Sequence, residues 1–152
     1  MINDFRGIYR WLSNFHLVPI RYQGIDFPST EHAYQAMKSF DHNIRLKFSV
    51  AGGLSCKEAK KLGGSIVLRA DWDVIKLQVM EEVLRLKFVA GSDLAAQLIA
   101  TGDEDLVEGN WWHDSYYGVC TCGKPECATG KNKLGVILMK LREELQAKLE
   151  LE

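Results

Sequence analysis

Residues 28–38 read Pro28-Ser-Thr-Glu-His-Ala-Tyr-Gln-Ala-Met-Lys38, and their pattern predicts a short amphipathic helix. At about 100° per residue, apolar and polar side chains separate onto opposite faces of such a helix. The predicted core face holds Ala33, Ala36, Met37 and Phe40, and the opposite face holds Glu31, Gln35 and Lys38. A polar face of this kind is typical of a solvated surface helix, so its chemistry depends on the rest of the chain.

Length and composition predict one compact soluble domain, residues 1–152. With 47% hydrophobic and 26% charged residues, the chain matches an average globular protein. A formal net charge of -1 provides no overall field for holding nucleic acid, so any such contact would be local. Neither a signal peptide nor an apolar run of about 18 residues is found in the sequence. We therefore expect a cytoplasmic protein with no membrane contact, and the sequence implies no protein partner.

Local signals around this helix predict several short elements. A hairpin is expected over residues 20–27, turning at Gly24, and Ser29 or Thr30 can cap the helix that follows. A second short helix is predicted from Asp41 or Asn43 to about Val50. The capping box Ser55-Cys-Lys-Glu58 opens a third helix, which ends at Gly63-Gly64. Residues 65–69 are strand-like.

The second half of the chain predicts three more helices. Asp71 is the expected N-cap of a long helix from Trp72 to about Ala90, with apolar groups around most of its circumference. Ser92 caps a helix running to Ala100, residues 106–108 are strand-like, and an amphipathic helix begins at about Asn132.

Residues 109–131 have neither helical nor strand periodicity, and they are too many for a simple connector. Their aromatic content argues against disorder, which leaves a functional loop. Five aromatic side chains in non-periodic segments could stack on a planar base: Trp11, Trp111, Trp112, Tyr116 and Tyr117. The alternative is that some of them, above all Trp112 or Tyr116, bury against the core.

Carboxylates and one lysine are the candidates for bond cleavage. Breaking a bond between a sugar C1′ and a nitrogen passes through an oxocarbenium-like state, which needs a nearby carboxylate and a proton for the leaving group. Glu31, Glu108 and Asp114 could supply these, although each could equally be a solvated or capping carboxylate. Lys38 offers a second route, since a desolvated lysine can attack an opened sugar and form a Schiff base. Its alternative is a surface lysine paired with a carboxylate.

His113, Cys120, Cys122 and Cys127 together offer three sulfurs and one nitrogen, the ligand count of a structural zinc site. The spacing C-x-C-x4-C is not that of a standard knuckle or ribbon, so free thiols remain the alternative. Cys56 stands alone in the sequence.

A series of short sequence motifs, in a fixed order over about residues 5 to 145, resembles the NADAR, or YbiA-like, family. They are Leu12-Ser-Asn-Phe15, Pro28 to Lys38, Glu58-Ala-Lys-Lys-Leu-Gly63, Asp71-Trp72, Met80, Lys87-Phe88, Thr101-Gly102, Leu106-Val-Glu108, Gly130-Lys-Asn-Lys-Leu-Gly135, Leu138-Met139 and Arg142. Singly these words are weak, but their shared order is specific.

The resemblance implies an α+β, mainly helical fold with a small β-hairpin, and an N-glycosidase activity. Family members are associated with ADP-ribose attached to guanine bases, which they remove, and with ribosylaminopyrimidine intermediates of riboflavin synthesis. We expect the first substrate, as a nucleoside or in DNA, and keep the second as the alternative. A non-catalytic ADP-ribose or nucleotide reader and a metal-binding scaffold are the alternatives from other classes.

The resemblance also assigns residues. Glu31 resembles the catalytic glutamate of the family's Glu-His-x-Tyr-Gln word, and Lys38 resembles the lysine that ends it. Glu108 and Asp114 stand where the family keeps its later acidic residues. The predicted substrate-binding set is Trp11, Ser13, Asn14, Phe15, Gln35, Trp111, Tyr117 and Asn132. The chemistry requires no cofactor. Tyr117-Gly118 replaces the family's frequent Trp-Gly, so Trp111 could take over the stacking role, and the cysteine insert resembles only some members.

Overall fold

The computed structural model describes residues 1–151. These form two compact units, one of residues 1–13 with residues 88–151 and one of Asn14–Lys87. We call them the terminal unit and the central unit. Helices dominate the secondary structure and the strands are few and short, which confirms the expected α+β, mainly helical class.

The central unit begins with the predicted hairpin. Strands β1 (Ile20–Tyr22) and β2 (Ile25–Phe27) pair antiparallel, with Ile20 opposite Phe27. Both turn residues have positive φ, 53° at Gln23 and 76° at Gly24, as a type I′ turn requires. Alternate strand residues are buried, so the hairpin contributes one apolar face to the core.

Four helices complete the central unit: α1 (Thr30–Ala36), α2 (His42–Lys47), α3 (Cys56–Gly63) and α4 (Trp72–Lys87). The predicted capping box at the start of α3 is present, with both of its hydrogen bonds. Helix α1 packs against α3 and α4, and α4 also packs against β1. Every residue of α1 is buried, so this short helix is the centre of the unit rather than part of its surface.

Several predicted boundaries in the central unit are wrong. Helix α1 ends at Ala36, so Phe40 does not continue its core face and is 64% exposed. Residues 65–69 form no strand, because Arg69 donates its backbone N–H to the Lys38 carbonyl and no strand lies alongside. Helix α4 ends at Lys87 rather than Ala90. Val74, at 87% exposed, shows that its apolar groups do not all face the core.

The terminal unit contains a 3-10 helix (Gly7–Leu12) and two α-helices, α5 (Asp93–Ala100) and α6 (Lys133–Leu151), which pack on each other. Ser92 caps α5 as predicted. Buried Arg142 on α6 donates hydrogen bonds to the Thr101 hydroxyl (3.0 Å) and the Glu104 carbonyl (2.8 Å), which ties the end of α5 to α6. The strand-like character predicted for residues 106–108 is reflected in a parallel bridge between Leu106 and Ile2.

The segment 109–131, which we call the aromatic loop, is more regular than its sequence predicts. Strands β3 (Gly109–Asn110) and β4 (Val119–Cys120) form a two-residue parallel pair, and a 3-10 turn spans Pro125–Cys127. Two residues per strand are too short to produce a periodic pattern, which is why the sequence gives no signal for them. Within residues 1–151, no helix combines the length and the hydropathy needed to cross a lipid bilayer.

Candidate active site

Glu31 and Gln35 form a buried pair on α1. The Gln35 amide donates a 2.8 Å hydrogen bond to Glu31 Oε1, one helical turn earlier. Glu31 is 8% exposed and Gln35 is 5% exposed, so the polar face of α1 is not a solvated surface. A carboxylate so far from bulk water keeps its charge interactions strong, as a group that meets a developing positive charge requires.

Asn14 fixes the first turn of α1. Its carbonyl accepts the Glu31 backbone N–H at 3.3 Å, and its side-chain oxygen accepts the Thr30 hydroxyl at 2.7 Å. The Asn14 amide also lies 3.4 Å from Met80 Sδ on α4. Predicted to bind substrate, Asn14 is placed by the structure beside Glu31, where it sets the position of the glutamate backbone.

Glycine at position 63 allows α3 to approach Gln35 closely. A Cβ built on Gly63 would lie 1.9 Å from Gln35 Oε1, far inside van der Waals contact. Any larger residue at this position would have to push the Gln35 side chain, and with it the hydrogen bond to Glu31. The glycine therefore has a role in holding the buried pair.

Lys38 lies one residue beyond the C-cap of α1 rather than within the helix, which corrects the predicted helix end. The last turn tightens, since the Lys38 backbone N–H bonds to the Gln35 carbonyl at 3.2 Å. The Lys38 ammonium lies 3.4 Å from the Gly63 carbonyl and is partly buried. Burial lowers the pKa of Lys38, and the charges of Lys60 and Lys76 act in the same direction against the opposing charge of Glu31.

Two further groups of the central unit were missed as site components. His32 has no exposed surface, and its Nε2 lies 2.7 Å from the Leu54 carbonyl while Nδ1 lies 2.6 Å from the Ser29 hydroxyl. Because a carbonyl only accepts, Nε2 carries the proton, and burial lowers the His32 pKa. His32 therefore braces the N-terminus of α1, which explains a histidine next to Glu31. Phe15, predicted to line the substrate, lies with its ring centroid 5.9 Å from the Lys60 ammonium.

Lys87 is the second missed group. Its side chain is 2% exposed at the end of α4, and burial lowers its pKa to about 7, against an opposing charge effect from Cys56. The sequence carried a usable signal, because Lys87-Phe88 is one of the motifs that resemble the NADAR family. Titratable groups whose pKa is shifted this far cluster at functional sites, so Lys87 is added to the candidate site residues of the central unit.

In the terminal unit, Glu108 is held by two surrounding residues. The Asn132 side chain accepts the Glu108 backbone N–H at 3.0 Å and donates to the Leu106 carbonyl at 2.9 Å. A Cβ on Gly118 would lie 2.3 Å from the Glu108 carbonyl, so this position must be glycine for the strand to pass. Asn132 was predicted to contact substrate, and the structure shows it fixing the backbone on both sides of Val107.

Asp114 shapes the aromatic loop. Its Oδ1 accepts the backbone N–H groups of Tyr116 (3.1 Å) and Tyr117 (2.9 Å), which closes a turn. Buried Asn110 donates to the Asp114 carbonyl at 2.8 Å and accepts the Asp114 N–H at 3.1 Å. At least one oxygen of this predicted catalytic carboxylate is therefore engaged in holding the loop.

The predicted stacking residues are accessible. Trp111 is 56% exposed and Trp112 is 40% exposed. Of the two residues for which burial against the core was the alternative, Trp112 is therefore exposed, and Tyr116 is half-buried. Their rings meet edge to face at 5.0 Å, and the Arg6 guanidinium lies 4.3 Å from the Trp111 ring. Tyr116 and Tyr117 form a similar pair at 4.8 Å. An exposed indole with a cation on one face can accept a planar ligand.

Trp11 and Ser13 lie at the end of the 3-10 helix. Trp11 meets Phe88 edge to face at 6.3 Å and lines a cavity of about 550 Å³ within the terminal unit. Its other lining residues are Met1, Ile2, Tyr9, Gln97, Ala100, Thr101 and Glu104. Ser13 caps the 3-10 helix through its backbone N–H, which donates to the Arg10 carbonyl at 2.9 Å.

The four predicted metal ligands come together. Ligand atoms of His113, Cys120, Cys122 and Cys127 all lie within 4.8 Å of one another. Burial and the hydrogen bonds with Cys122 and Cys120 raise the pKa of Cys127 to about 11. For Cys120, burial acts to raise the pKa, but hydrogen bonds from Cys122 and His113 outweigh it and lower the value to about 7.

Comparisons with known proteins identify the family of this chain. A family model described as the NADAR domain matches residues 4–146. N-glycosidase YbiA of Escherichia coli is 37% identical, with 90% of this chain and 82% of that protein covered. N-glycosidase Npun_R5314 of Nostoc punctiforme is 36% identical, with 94% of this chain and 90% of that protein covered.

A riboflavin biosynthesis protein of Vibrio vulnificus, VVA0006, is 39% identical over 90% of this chain but only 35% of its own length. The NMR structure of the E. coli protein YbiA aligns with a TM-score of 0.80 at 35% identity, covering 100% of this chain and 90% of that chain. The predicted enzyme class, an N-glycosidase, is thus confirmed at the level of the family. The chain belongs to the NADAR domain family.

Proposed function

We propose that the protein is an N-glycosidase that removes ADP-ribose from guanine bases, as the free nucleoside or in DNA. The reaction breaks the C1′–N bond. Water supplies a hydroxyl to C1′ and a proton to the departing nitrogen, so the products are ADP-ribose and the unmodified base. This proposal concerns the substrate, and it rests on the N-glycosidase class of the family.

The observation that carries the proposal is the buried Glu31–Gln35 pair beside a desolvated Lys38. An oxocarbenium-like state at C1′ carries positive charge, which a carboxylate held away from water stabilises strongly. The Gln35 amide holds one oxygen of that carboxylate in place. A solvated surface helix would provide none of this.

Lys38 supports a second route through the same site. Because burial lowers its pKa, a larger fraction of its amine is neutral near neutral pH than for a solvated lysine. The neutral Nζ can attack C1′ of the opened sugar, expel the base and form a Schiff base, which water then hydrolyses. Proton transfer by Glu108 or Asp114 is a prediction from their resemblance to the family's acidic residues.

A planar base needs a flat recognition surface, and the stacking role of Trp111 is a prediction from the sequence. Trp111 offers an exposed indole whose ring is already approached by the Arg6 guanidinium at 4.3 Å. Stacking on such a ring contributes roughly 1–3 kcal/mol per base and depends little on base identity. A nucleotide-like substrate is consistent with this surface and with the family.

A second substrate is favoured by a specific relative. The Vibrio vulnificus protein that matches this chain is named for riboflavin biosynthesis. A ribosylaminopyrimidine intermediate of that pathway carries the same C1′–N bond beside a guanine-like ring. A net charge of -1 favours a small nucleotide over a long polynucleotide, which keeps this substrate in consideration.

The deciding experiment incubates the purified protein with ADP-ribosylated guanosine and detects free ADP-ribose by mass spectrometry. A ribosylaminopyrimidine phosphate is assayed in parallel, and the ratio of the two kcat/KM values ranks the substrates. Folded protein that releases no ADP-ribose overturns the first proposal. Tight binding of ADP-ribose without turnover of either substrate would identify a reader instead of an enzyme.

A further inference from the structure

A cluster of three cysteines and one histidine lies in the aromatic loop, and none of its four residues has a part in the proposed reaction. One ligand atom from each of His113, Cys120, Cys122 and Cys127 lies within 4.8 Å of the other three. His113 Nδ1 is 3.8 Å from Cys120 Sγ and 3.4 Å from Cys127 Sγ. The four ligand atoms therefore lie close enough together to share one metal ion.

The two distances from His113 Nδ1 to sulfur match those around a tetrahedral zinc ion. With Zn–S bonds of about 2.3 Å and Zn–N bonds of about 2.0–2.1 Å, tetrahedral angles put sulfur about 3.5 Å from nitrogen and about 3.8 Å from another sulfur. The two measured nitrogen–sulfur distances fall on either side of the first value. Four cysteine and histidine ligands fill the coordination shell, which is the arrangement of a structural rather than a catalytic zinc site.

The backbone is shaped to present these ligands. His113 has a φ of 71°, a left-handed conformation that a non-glycine residue adopts only at a cost. Gly123, with a φ of 81°, turns the chain so that the Lys124 N–H points to Cys122 Sγ at 3.5 Å. A backbone N–H directed at a cysteine sulfur stabilises a thiolate ligand and orients it.

Burial and cysteine count favour a metal over a disulfide. Cys120 is 8% exposed and Cys127 is 6% exposed, and all three cysteines of the cluster are free thiols. A single disulfide would join two of the sulfurs and would not account for the third sulfur or the imidazole at the same place. A zinc ion uses all four groups.

We propose that His113 Nδ1 and the sulfurs of Cys120, Cys122 and Cys127 bind one structural Zn²⁺ ion, which fixes the aromatic loop. His113 follows Trp111 and Trp112 directly, whereas the cysteines follow Tyr116 and Tyr117. An ion that joins His113 to the cysteines closes a ring of chain that contains Tyr116 and Tyr117 and that begins directly after Trp111 and Trp112. The proposal is independent of the substrate, because metal content and loop order are measured without turnover.

The test measures zinc in the full-length protein, purified under reducing conditions and dialysed against a chelator, by mass spectrometry of the metal. Wild type should retain about one zinc ion per chain. Cys127→Ser should lose the ion under the same challenge, whereas Cys56→Ser should retain it. Cys56 is a matched control, since it is a buried free cysteine outside the cluster.

Cobalt provides a second measurement on the unsubstituted protein, so a variant that fails to fold does not leave the question open. Zinc-free protein loaded with Co²⁺ should show thiolate-to-cobalt charge-transfer absorption and the intense visible bands of a tetrahedral ion. Removal of the metal should also change tryptophan fluorescence, because Trp111 and Trp112 adjoin His113. The inference is overturned if folded wild type binds neither metal, if Cys127→Ser retains zinc like wild type, or if intact mass shows a disulfide in the cluster.

Discussion

Helix α1 and the aromatic loop position their functional side chains by different physical means. In α1, regular backbone hydrogen bonds and complete burial leave Glu31, Gln35 and their neighbours few alternative positions. In the aromatic loop, side chains bond to backbone instead. Asn110 and Asp114 hold the turn, and Asn132 holds the strand before it. The geometry of helix α1 therefore depends on packing against its neighbours, whereas the geometry of the aromatic loop depends on a few polar contacts.

This contrast has consequences for mutation. A conservative change within α1 can preserve packing and alter chemistry alone, because the helix shape does not depend on the altered charge. Removing one polar contact in the loop changes the path of the backbone itself. Activity losses without unfolding should therefore concentrate in the central unit, and stability losses should accompany changes in the loop.

The largest effect is expected for Glu31→Gln. The glutamine oxygen still accepts the hydrogen bond from Gln35, so the fold should persist, but the negative charge that we propose stabilises C1′ is lost. We expect kcat to fall about 10³-fold, equivalent to about 4 kcal/mol in the transition state. Turnover of ADP-ribosylated guanosine measures kcat, and equilibrium binding of the same compound should change little.

Glu143→Gln is the matched control, since this glutamate is exposed on α6 and should leave turnover unchanged. Equal activity of Glu31→Gln and wild type would show that the buried carboxylate has no part in the reaction. Helix α1 would then have a structural role only, and the contrast between α1 and the aromatic loop would not extend to function.

Lys87 gives the next largest effect, on stability as a function of pH. Its pKa is about 7 in the folded protein against an ordinary value of 10.5, so the unfolded chain binds the proton first as pH falls. The contribution of Lys87 to the unfolding free energy is therefore greatest above about pH 10.5. It falls as the pH falls towards 7 and levels off below that pH. Between about pH 9.5 and pH 7 the loss should be roughly 3 kcal/mol.

Urea unfolding of wild type and Lys87→Met across this pH range isolates the effect. Methionine cannot titrate, so the difference in unfolding free energy between the two proteins should vary with pH by about this amount. The loss of the packing contacts of Lys87 adds a pH-independent offset to this difference. The contributions of the other titrating groups are the same in both proteins and cancel. A difference that does not vary with pH would mean that Lys87 titrates as a solvated lysine does.

Much of the fold was predictable because its signals are local. The hairpin turn at Gly24, the Ser55 capping box and the Ser92 cap each follow from a few adjacent residues, and the structure confirms all three. The end of α1 was not predictable from periodicity. It depends on the hydrogen bond from Arg69 to the Lys38 carbonyl, which joins residues distant in sequence.

The candidate site divides in the same way. Residue type predicted that the cysteines and His113 would come together, and the structure places them so. Glu31 was singled out by its resemblance to the family's catalytic glutamate, and its role in the reaction stays a prediction. The burial of Glu31 and Lys87 could not be predicted, because it depends on which faces α3 and α4 present to the rest of the central unit. The function of Asn132 was missed because a side chain bonded to backbone some 25 residues away leaves no pattern in the sequence.

Asn132→Ala tests the loop side of the contrast. The substitution removes hydrogen bonds to the Glu108 N–H and the Leu106 carbonyl, and it places alanine at a φ of 50°. We expect the unfolding free energy to fall by about 2 kcal/mol or somewhat more. Thermal and urea unfolding measure it, with exposed Asn43→Ala as the control. A change of less than about 0.5 kcal/mol, the range of ordinary surface substitutions, would contradict the role assigned to this side chain.

The smallest effect is expected for Gly63→Ala, and it tests whether packing alone sets the chemistry of α1. The new Cβ would lie 1.9 Å from Gln35 Oε1, so the Gln35 side chain must turn away from Glu31. We expect kcat/KM to fall about tenfold, equivalent to about 1.4 kcal/mol. Gly64→Ala is the matched control, because its Cβ would meet the Lys61 carbonyl at 3.4 Å and the Lys60 carbonyl at 3.7 Å, both at ordinary contact distance. In a Gln35→Ala background, Gly63→Ala should have little further effect, since the two changes act on one contact. Additive losses would show that Gly63 acts on the reaction by some path other than the Glu31–Gln35 pair.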